Sequence, residues 1–199
     1  PKSMWAAFED GFRLIDLDSG SILRSVERNP DSYMFLLNDE YALIKNVNES
    51  GYCTSYAKSF TLYSLKDGKK LWSKEDSLLY GVTDNERLYY ISKSKIICVD
   101  IHTGNINWER EFQLENARVP VITDEELLVA NGNISYPSGG LFSFNKFNGE
   151  LNYQDVNYAP KTIYWTTGRF DWPIVCKSGS SMIVAGDNGN LDLLELKQP

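Results

Sequence analysis

Histidine is almost missing from this chain: a single imidazole, His102, stands among 199 residues. Metal centres and nucleophile–base pairs built on histidine need further ligands or partners of that kind, so His102, in the turn Asp100-Ile-His-Thr-Gly104, reads as a solvent-side turn residue. Cysteine is scarce as well. Cys53, Cys98 and Cys176 are odd in number, far apart and set in apolar stretches. That pattern describes buried free thiols and points to a reducing, cytoplasmic compartment; a periplasmic or secreted setting stays open if a leader has been removed. No apolar run approaches the about 18 residues of a membrane-spanning helix, and Pro1-Lys2-Ser3 begins no signal-like apolar core. Positive charge is also short: 20 basic against 27 acidic residues leave a net charge of −7. Such a balance repels nucleic-acid phosphates and anionic membranes, and it attracts a basic partner.

Aromatic residues, in contrast, are abundant. Twelve Tyr, nine Phe and five Trp make up 13% of the chain, beside 14 Gly and 7 Pro, a mixture that favours strands and tight turns over helices. The charged share of 24% and apolar share of 42% are those of an ordinary globule, which excludes disorder and collagen-like structure. At this length one large all-β domain or two small domains are both feasible.

A period decides between them. Gly20, Gly68, Gly104 and Gly149, spaced 48, 36 and 45 residues apart, each close a turn after an apolar-rich segment. Four residues beyond each glycine stand Arg24, Trp72, Trp108 and Tyr153. Ser, Asp, Thr or Asn precedes each glycine, small polar residues that suit a hairpin turn whose glycine takes a positive φ, and the flanking segments read as half-buried strands alternating apolar and polar residues. A second echo is a polar turn feeding a strand, with Asp39, Asp84 and Asp124 as its markers. Four short antiparallel strands per repeat, with no helical period, are the pattern of β-propeller blades. The expected fold is therefore an all-β propeller of about five blades of three to four strands, one domain over residues 1–199, with repeats near 1–30, 31–76, 77–114, 115–157 and 158–199. The segment from Ser3 to Ile15 aligns with that from Ser181 to Leu193 as second strand, Gly turn and third strand. The first repeat thus lacks its inner strand and the fifth its outer one. Closure between the end blades, a larger ring, and strands from another chain all satisfy this shortfall.

The pattern Asp-x-x-Thr-Gly-x-x-x-Trp, complete in Asp100, Thr103, Gly104 and Trp108, resembles the tryptophan-docking repeat of the pyrroloquinoline-quinone-type β-propellers. Asp16, Ser19 and Gly20 match it without the Trp, Gly68 and Trp72 without the Asp, and Asn145, Asn148, Gly149 and Tyr153 through stand-ins. The resemblance implies that Trp72, Trp108 and Tyr153 pack between blades. It carries no activity: the quinone enzymes of that type are longer rings, and their cofactor site has no residue-by-residue counterpart here. Members without the cofactor are commonly scaffold or assembly proteins.

No catalytic residues, metal ligands or cofactor are expected. Asp84, Asp124, Glu125 and Asp187 could in principle supply the two carboxylates of a glycosidase, but they fall in turns where Asp serves turn geometry. The residues outside the period carry the functional reading. Insertions at residues 46–58 and 131–140 lengthen equivalent connections, and the longest, 158–173, is crowded with aromatics. Tyr136, Tyr158, Tyr164, Trp165, Arg169, Phe170 and Trp172 are the candidate partner-binding residues, since Tyr, Trp and Arg give large contact area with a hydrogen-bonding end. The expectation is a non-enzymatic protein-binding or scaffold propeller for a basic protein, a neutralising or immunity-type partner of a cationic toxin being one instance. Two alternatives stand beside it: a carbohydrate-binding or glycan-cleaving propeller, and a fragment of a larger assembly-factor propeller.

Overall fold

The computed structural model describes residues 2–27, 32–46, 57–93, 95–112, 119–131, 140–155, 175–178, 181–185 and 191–195. They form strands only, in five antiparallel sheets that follow one another along the chain. The first sheet holds β1 (Ser3–Phe8), β2 (Gly11–Asp16) and β3 (Ile22–Glu27). The second runs through β4 (Ser32–Leu36), β5 (Tyr41–Asn46), β6 (Ser59–Ser64) and β7 (Lys70–Lys74). In the third are β8 (Tyr80–Thr83), β9 (Arg87–Ile91), β10 (Lys95–Asp100) and β11 (Ile106–Glu111). The fourth comprises β12 (Val121–Ile122), β13 (Glu126–Asn131), β14 (Gly140–Asn145) and β15 (Leu151–Asp155). The fifth has β16 (Val175–Ser178), β17 (Ser181–Ala185) and β18 (Leu191–Glu195). Among the described residues, three sheets of four strands are flanked by two of three, and β1 has no partner in the inner position that β4, β8 and β12 fill.

Alternation explains how the sheets stack. Successive side chains of a strand point to opposite faces. In the third sheet Leu88, Tyr90, Ile97 and Val99 join Tyr41, Leu43, Phe60 and Leu62 of the second sheet in one core. Their neighbours Tyr89, Ile91, Ile96 and Cys98 join Leu127, Val129, Phe142 and Phe144 of the fourth sheet in another. The expected half-buried alternation is thus corrected for the central strands. Both faces of β10 are covered, so Ile96, Ile97, Cys98 and Val99 are all buried and the segment reads as one apolar run.

Each third-to-fourth strand turn is built alike. Gly20, Gly68, Gly104 and Gly149 have φ of 69°, 69°, 72° and 73°, in the left-handed region open to glycine. Asp100 Oδ1 accepts from the His102 and Thr103 amides at 3.0 and 2.7 Å and from Thr103 Oγ1 at 2.8 Å. Asp16 does the same with the amides of Asp18 and Ser19 and with Ser19 Oγ, and Asn145 with the amides of Phe147 and Asn148. A register shift follows at one phase in every repeat, at Leu14/Ile15, Leu62/Tyr63, Cys98/Val99 and Ser143/Phe144. This bulge re-aims the fourth strand, so Arg24, Trp72, Trp108 and Tyr153 stand opposite Leu14, Leu62, Cys98 and Ser143.

These residues join one sheet to the next. The Trp72 indole lies over Gly104, whose absent Cβ would sit 2.9 Å from the ring, and Trp72 Nε1 donates to the Ile101 carbonyl at 2.7 Å. Trp108 repeats the contact one sheet on: Gly149 would place a Cβ 2.5 Å from the ring, and Nε1 donates to the Lys146 carbonyl at 3.0 Å. In the first repeat Arg24 takes the tryptophan's place, its Nη1 donating to the Leu65 carbonyl at 2.9 Å. Tyr153 holds the same position in the fourth sheet and is 41% exposed.

Two glycine substitutions separate backbone strain from docking. Gly20→Ala is expected to cost only the left-handed strain of about 1–2 kcal/mol. Gly149→Ala must also displace the Trp108 ring, and its loss should approach the roughly 3–5 kcal/mol of a large aromatic truncation. Equal losses in urea titrations of the two variants would show that the docking contact adds nothing.

Candidate interaction surface

The docking turns all lie at one end of their sheets, and neighbouring sheets are tied there side by side. Asn38 Oδ1 accepts from the amides of Glu40 and Tyr41 at 2.9 Å each, while Asn38 Nδ2 donates across the seam to Asn85 Oδ1. Asp84 Oδ1 accepts from the amides of Glu86 and Arg87 at 3.3 and 2.9 Å, and Thr123 Oγ1 from that of Glu126 at 3.0 Å. The equivalent positions are therefore Asn38, Asp84 and Thr123. The sequence register through Asp39 and Asp124 is one residue off in two repeats, because Asn, Asp and Thr serve this turn interchangeably as acceptors.

Asp84 does more than cap the turn. Its Oδ2 accepts from Tyr89 Oη at 3.0 Å and lies 3.4 Å from Lys146 Nζ of the next sheet, both side chains being largely buried. Burial alone would push this carboxyl up; the Arg87 amide, the Tyr89 hydroxyl and the Lys146 ammonium together hold it below its usual value. Tyr89 moves the other way, raised by burial and by the Asp84 charge. Asp84 is thus tied to its neighbours in a seam. Asp124 and Glu125 are exposed, and Asp187 lies outside the described residues.

The opposite end of the sheets carries the insertions. Residues 47–58 connect β5 to β6, and 132–139 connect β13 to β14, from equivalent strand ends marked by the pairs Asn46–Ser59 and Asn131–Gly140. Asp155 pairs with Leu141, so segment 156–174 departs from that same end. In the third sheet the equivalent connection is tight, the Ser92 amide donating to the Lys95 carbonyl at 2.9 Å. The strand ends beneath the loops are firmly held. Lys45 is fully buried, its Nζ 3.4 Å from the Leu79 carbonyl, and Tyr90 Oη donates to Asp76 at 2.9 Å. All seven candidate contact residues, Tyr136, Tyr158, Tyr164, Trp165, Arg169, Phe170 and Trp172, lie outside the described residues. The structure locates their anchoring points and shows that these share one end.

Other groups singled out by type resolve into packing. His102 is exposed, its ring edge-on to Tyr41 across the second seam with centroids 6.4 Å apart. Cys98 is buried, and desolvation pushes its thiol up to about 11. Cys53 lies outside the described residues. A cleft of about 540 Å³ opens between the outer strands of sheets three and four, but its cation is engaged: Arg110 donates to the carbonyls of Gly149 and Asn148 at 3.1 and 2.9 Å. Among the described residues no group of three or more His, Cys, Asp or Glu could hold a metal ion, and no helix is long and apolar enough to cross a membrane.

Solved structures decide what the five sheets are. BamB from Moraxella catarrhalis matches 98% of this chain with a TM-score of 0.59 at 13% identity. Hsv2p of Kluyveromyces lactis matches 99% with a TM-score of 0.66 at 11% identity. Both neighbours are β-propellers. The fold is a β-propeller. The computationally designed Ika8 protein matches 98% of the chain as well, with a TM-score of 0.70 at 8% identity. The chain spans only 58%, 59% and 56% of BamB, Hsv2p and Ika8. No protein-family model and no curated protein matches the sequence, so the likeness is one of fold. In propeller terms the docking turns line one rim, and the strand ends that carry the insertions lie at the other.

Two measurements test this rim. Because the folded Asp84 titrates below its unfolded counterpart, its stabilisation is present above about pH 4 and is lost as pH falls through the folded value. Asn38 shows that an amide makes the same turn, so Asp84→Asn should lower the urea midpoint above about pH 5 and match wild type near pH 2; a constant gap would remove the ion pair from the account. Cys98 should resist iodoacetamide at about pH 8 in the native protein and be modified in urea. Native labelling of the Cys98 peptide, read by mass spectrometry, would contradict its burial.

Proposed function

We propose that this chain is a non-enzymatic, protein-binding propeller of the tryptophan-docking, pyrroloquinoline-quinone-like repeat type, acting in a reducing compartment on a basic protein partner. The observation that carries the reading is the division of the blades into two unlike rims. One is locked by repeated indole, guanidinium and ion-pair contacts between neighbours. From the other leave the three connections that break the period, the longest holding Tyr158, Tyr164, Trp165, Arg169, Phe170 and Trp172. Loops displayed by a rigid scaffold are where recognition concentrates, and Trp, Tyr and Arg are the residues that dominate binding hot spots.

The net charge of −7 favours a cationic partner by steering its approach. A basic toxin neutralised by this chain is one member of that class. A catalytic role finds little support among the described acidic groups, because Asp84 is bound by Lys146 and Tyr89 and so is occupied in holding two blades together.

The test is retention of a partner from native lysate on the immobilised chain, compared between wild type and a Trp165→Ala/Trp172→Ala double variant. The variant is expected to lose its partner at least tenfold, with a thermal midpoint within about 3 °C of wild type. Recovery of every partner at wild-type levels would sink the aromatic-anchor reading.

A further inference from the structure

The four docking turns share a contact just past the glycine. The side chain before each glycine accepts from the amide after it: Ser19 Oγ from Ser21 at 3.3 Å, Asp67 Oδ1 from Lys69 at 3.4 Å, Thr103 Oγ1 from Asn105 at 3.3 Å and Asn148 Oδ1 from Glu150 at 2.9 Å. Hydroxyl, carboxylate and amide oxygens all serve, so the turn itself does not ask for asparagine. Asparagine adds a reaction that serine and threonine lack. In an Asn-Gly pair the glycine has no side chain to hinder attack of its backbone nitrogen on the preceding side-chain amide. The chain holds three such pairs, Asn131-Gly132, Asn148-Gly149 and Asn188-Gly189, and of the four docking turns only the fourth contains one.

The fold fixes the peptide group that this reaction must turn. Attack requires the plane between Asn148 and Gly149 to swing until the glycine nitrogen meets Asn148 Cγ. Both ends of that plane are tied. The Gly149 N–H donates to the Asn145 carbonyl at 2.8 Å, and the Asn148 carbonyl accepts from Arg110 Nη2 at 2.9 Å. The Asn148 side chain is held too, its Oδ1 by the Glu150 amide and its Nδ2 by Glu150 Oε2 at 3.0 Å. Trp108 closes the space above, since Gly149 is buried and a Cβ there would meet the indole at 2.5 Å. Two of these restraints, Arg110 and Trp108, belong to the third blade and act only while it is docked on the fourth.

We propose that Asn148 is a deamidation site gated by the seam between the third and fourth blades. Docked Trp108 and Arg110 keep it intact, and deamidation after the seam opens stops it from closing again. The Gly149 nitrogen bonds to Asn148 Cγ and gives up its proton; the Cγ–Nδ2 bond breaks, and Nδ2 leaves with that proton as ammonia. Water then opens the succinimide ring. Addition at Cγ gives aspartate, and addition at the main-chain carbonyl gives isoaspartate, with the backbone routed through Cβ. Water is the only reagent consumed. Either product sets a carboxylate beside Glu150 where an amide had donated to it, and like charges repel. Isoaspartate also lengthens the main chain by one atom between the Lys146 carbonyl that holds the indole N–H and the Gly149 that lies under its ring. This inference is independent of the partner-binding reading and concerns the opposite rim.

The experiment ages the full chain at mildly alkaline pH and follows the Asn148 peptide by mass spectrometry, with fragmentation to separate it from the other Asn-Gly pairs. Deamidation is slow beside the opening and closing of a seam, so its rate follows the open fraction. Native Asn148 is expected to react at least about tenfold more slowly than the same residue in unfolding guanidinium chloride, and Arg110→Ala to react at least about threefold faster than wild type in buffer. Equal rates in buffer and denaturant, or a wild-type rate in Arg110→Ala, would overturn the gate. Should that variant not fold, wild type in guanidinium well below its midpoint replaces it: a rate that climbs before global unfolding supports opening at the seam, and a rate that tracks global unfolding alone overturns it. The aged isoaspartate fraction, isolated by ion exchange, should melt several degrees below fresh protein, while Asn148→Thr aged in parallel keeps its midpoint. An isoaspartate form as stable as fresh protein, or an equal loss in aged Asn148→Thr, would overturn the irreversible opening.

Discussion

One contact organises this molecule: an indole N–H reaching a turn carbonyl while its ring lies on the glycine three residues further on. Each part of that contact has a separate cause. The glycine is required twice, by its left-handed φ and by the ring that occupies the space of a Cβ, as at Gly104 and Gly149. The Asp or Asn four residues before it ties down the turn amides, which holds the acceptor carbonyl in place. The bulge in the fourth strand aims the tryptophan. Burying an indole without a partner for its N–H is costly, so the hydrogen bond specifies which turn the ring lands on while the buried ring area supplies most of the stabilisation.

The consequence is an asymmetry between the two rims. At the docking rim many polar groups are engaged in structural contacts, including Asp84 with Lys146, Asn38 with Asn85, and Arg110 on the fourth turn. A surface so committed has little left with which to recognise anything. The opposite rim needs only to reconnect strands, and its connections are free to differ in length, from the tight turn at Ser92 to the long stretch after Asp155. A propeller built this way keeps the contacts that hold it together at one rim and leaves the length of its connections at the other unconstrained. Arg24 illustrates how tolerant the holding contact is. Its guanidinium makes the same donation to Leu65 without covering the glycine, which leaves that seam less buried.

Much of the architecture is legible in the chain because it is written in residues with few substitutes. Glycine at positive φ recurs at Gly20, Gly68, Gly104 and Gly149, and the tryptophans follow at constant spacing. The echo of Asp39, Asp84 and Asp124 is less legible, since any side-chain acceptor serves that turn and the structural series is Asn38, Asp84 and Thr123. Burial of β10 on both faces does not follow from an alternating pattern, because a strand between two sheets shows no alternation of polarity. Lys146 gives no signal at all. Its equivalents Leu65 and Ile101 are apolar, and only the approach of Asp84 from the preceding blade explains a lysine there. The aromatic segment from Tyr158 to Trp172 stands out in the sequence by its departure from the period, and its contact chemistry is read from residue type alone.

The amino-acid sequence by itself determined the repeat, the strand order within it and the sites of the docking turns, since these depend on local backbone preference and on spacing along one chain. Only the tertiary structure decided which turn each docking residue meets, that Arg24 stands in for a tryptophan, and that Asp84 pairs with Lys146, because those choices join residues from different blades. It alone also showed that the Gly20 turn is built like the others while no described residue lies over it. A turn's conformation is local, but whether it is covered depends on what lies beside it in space.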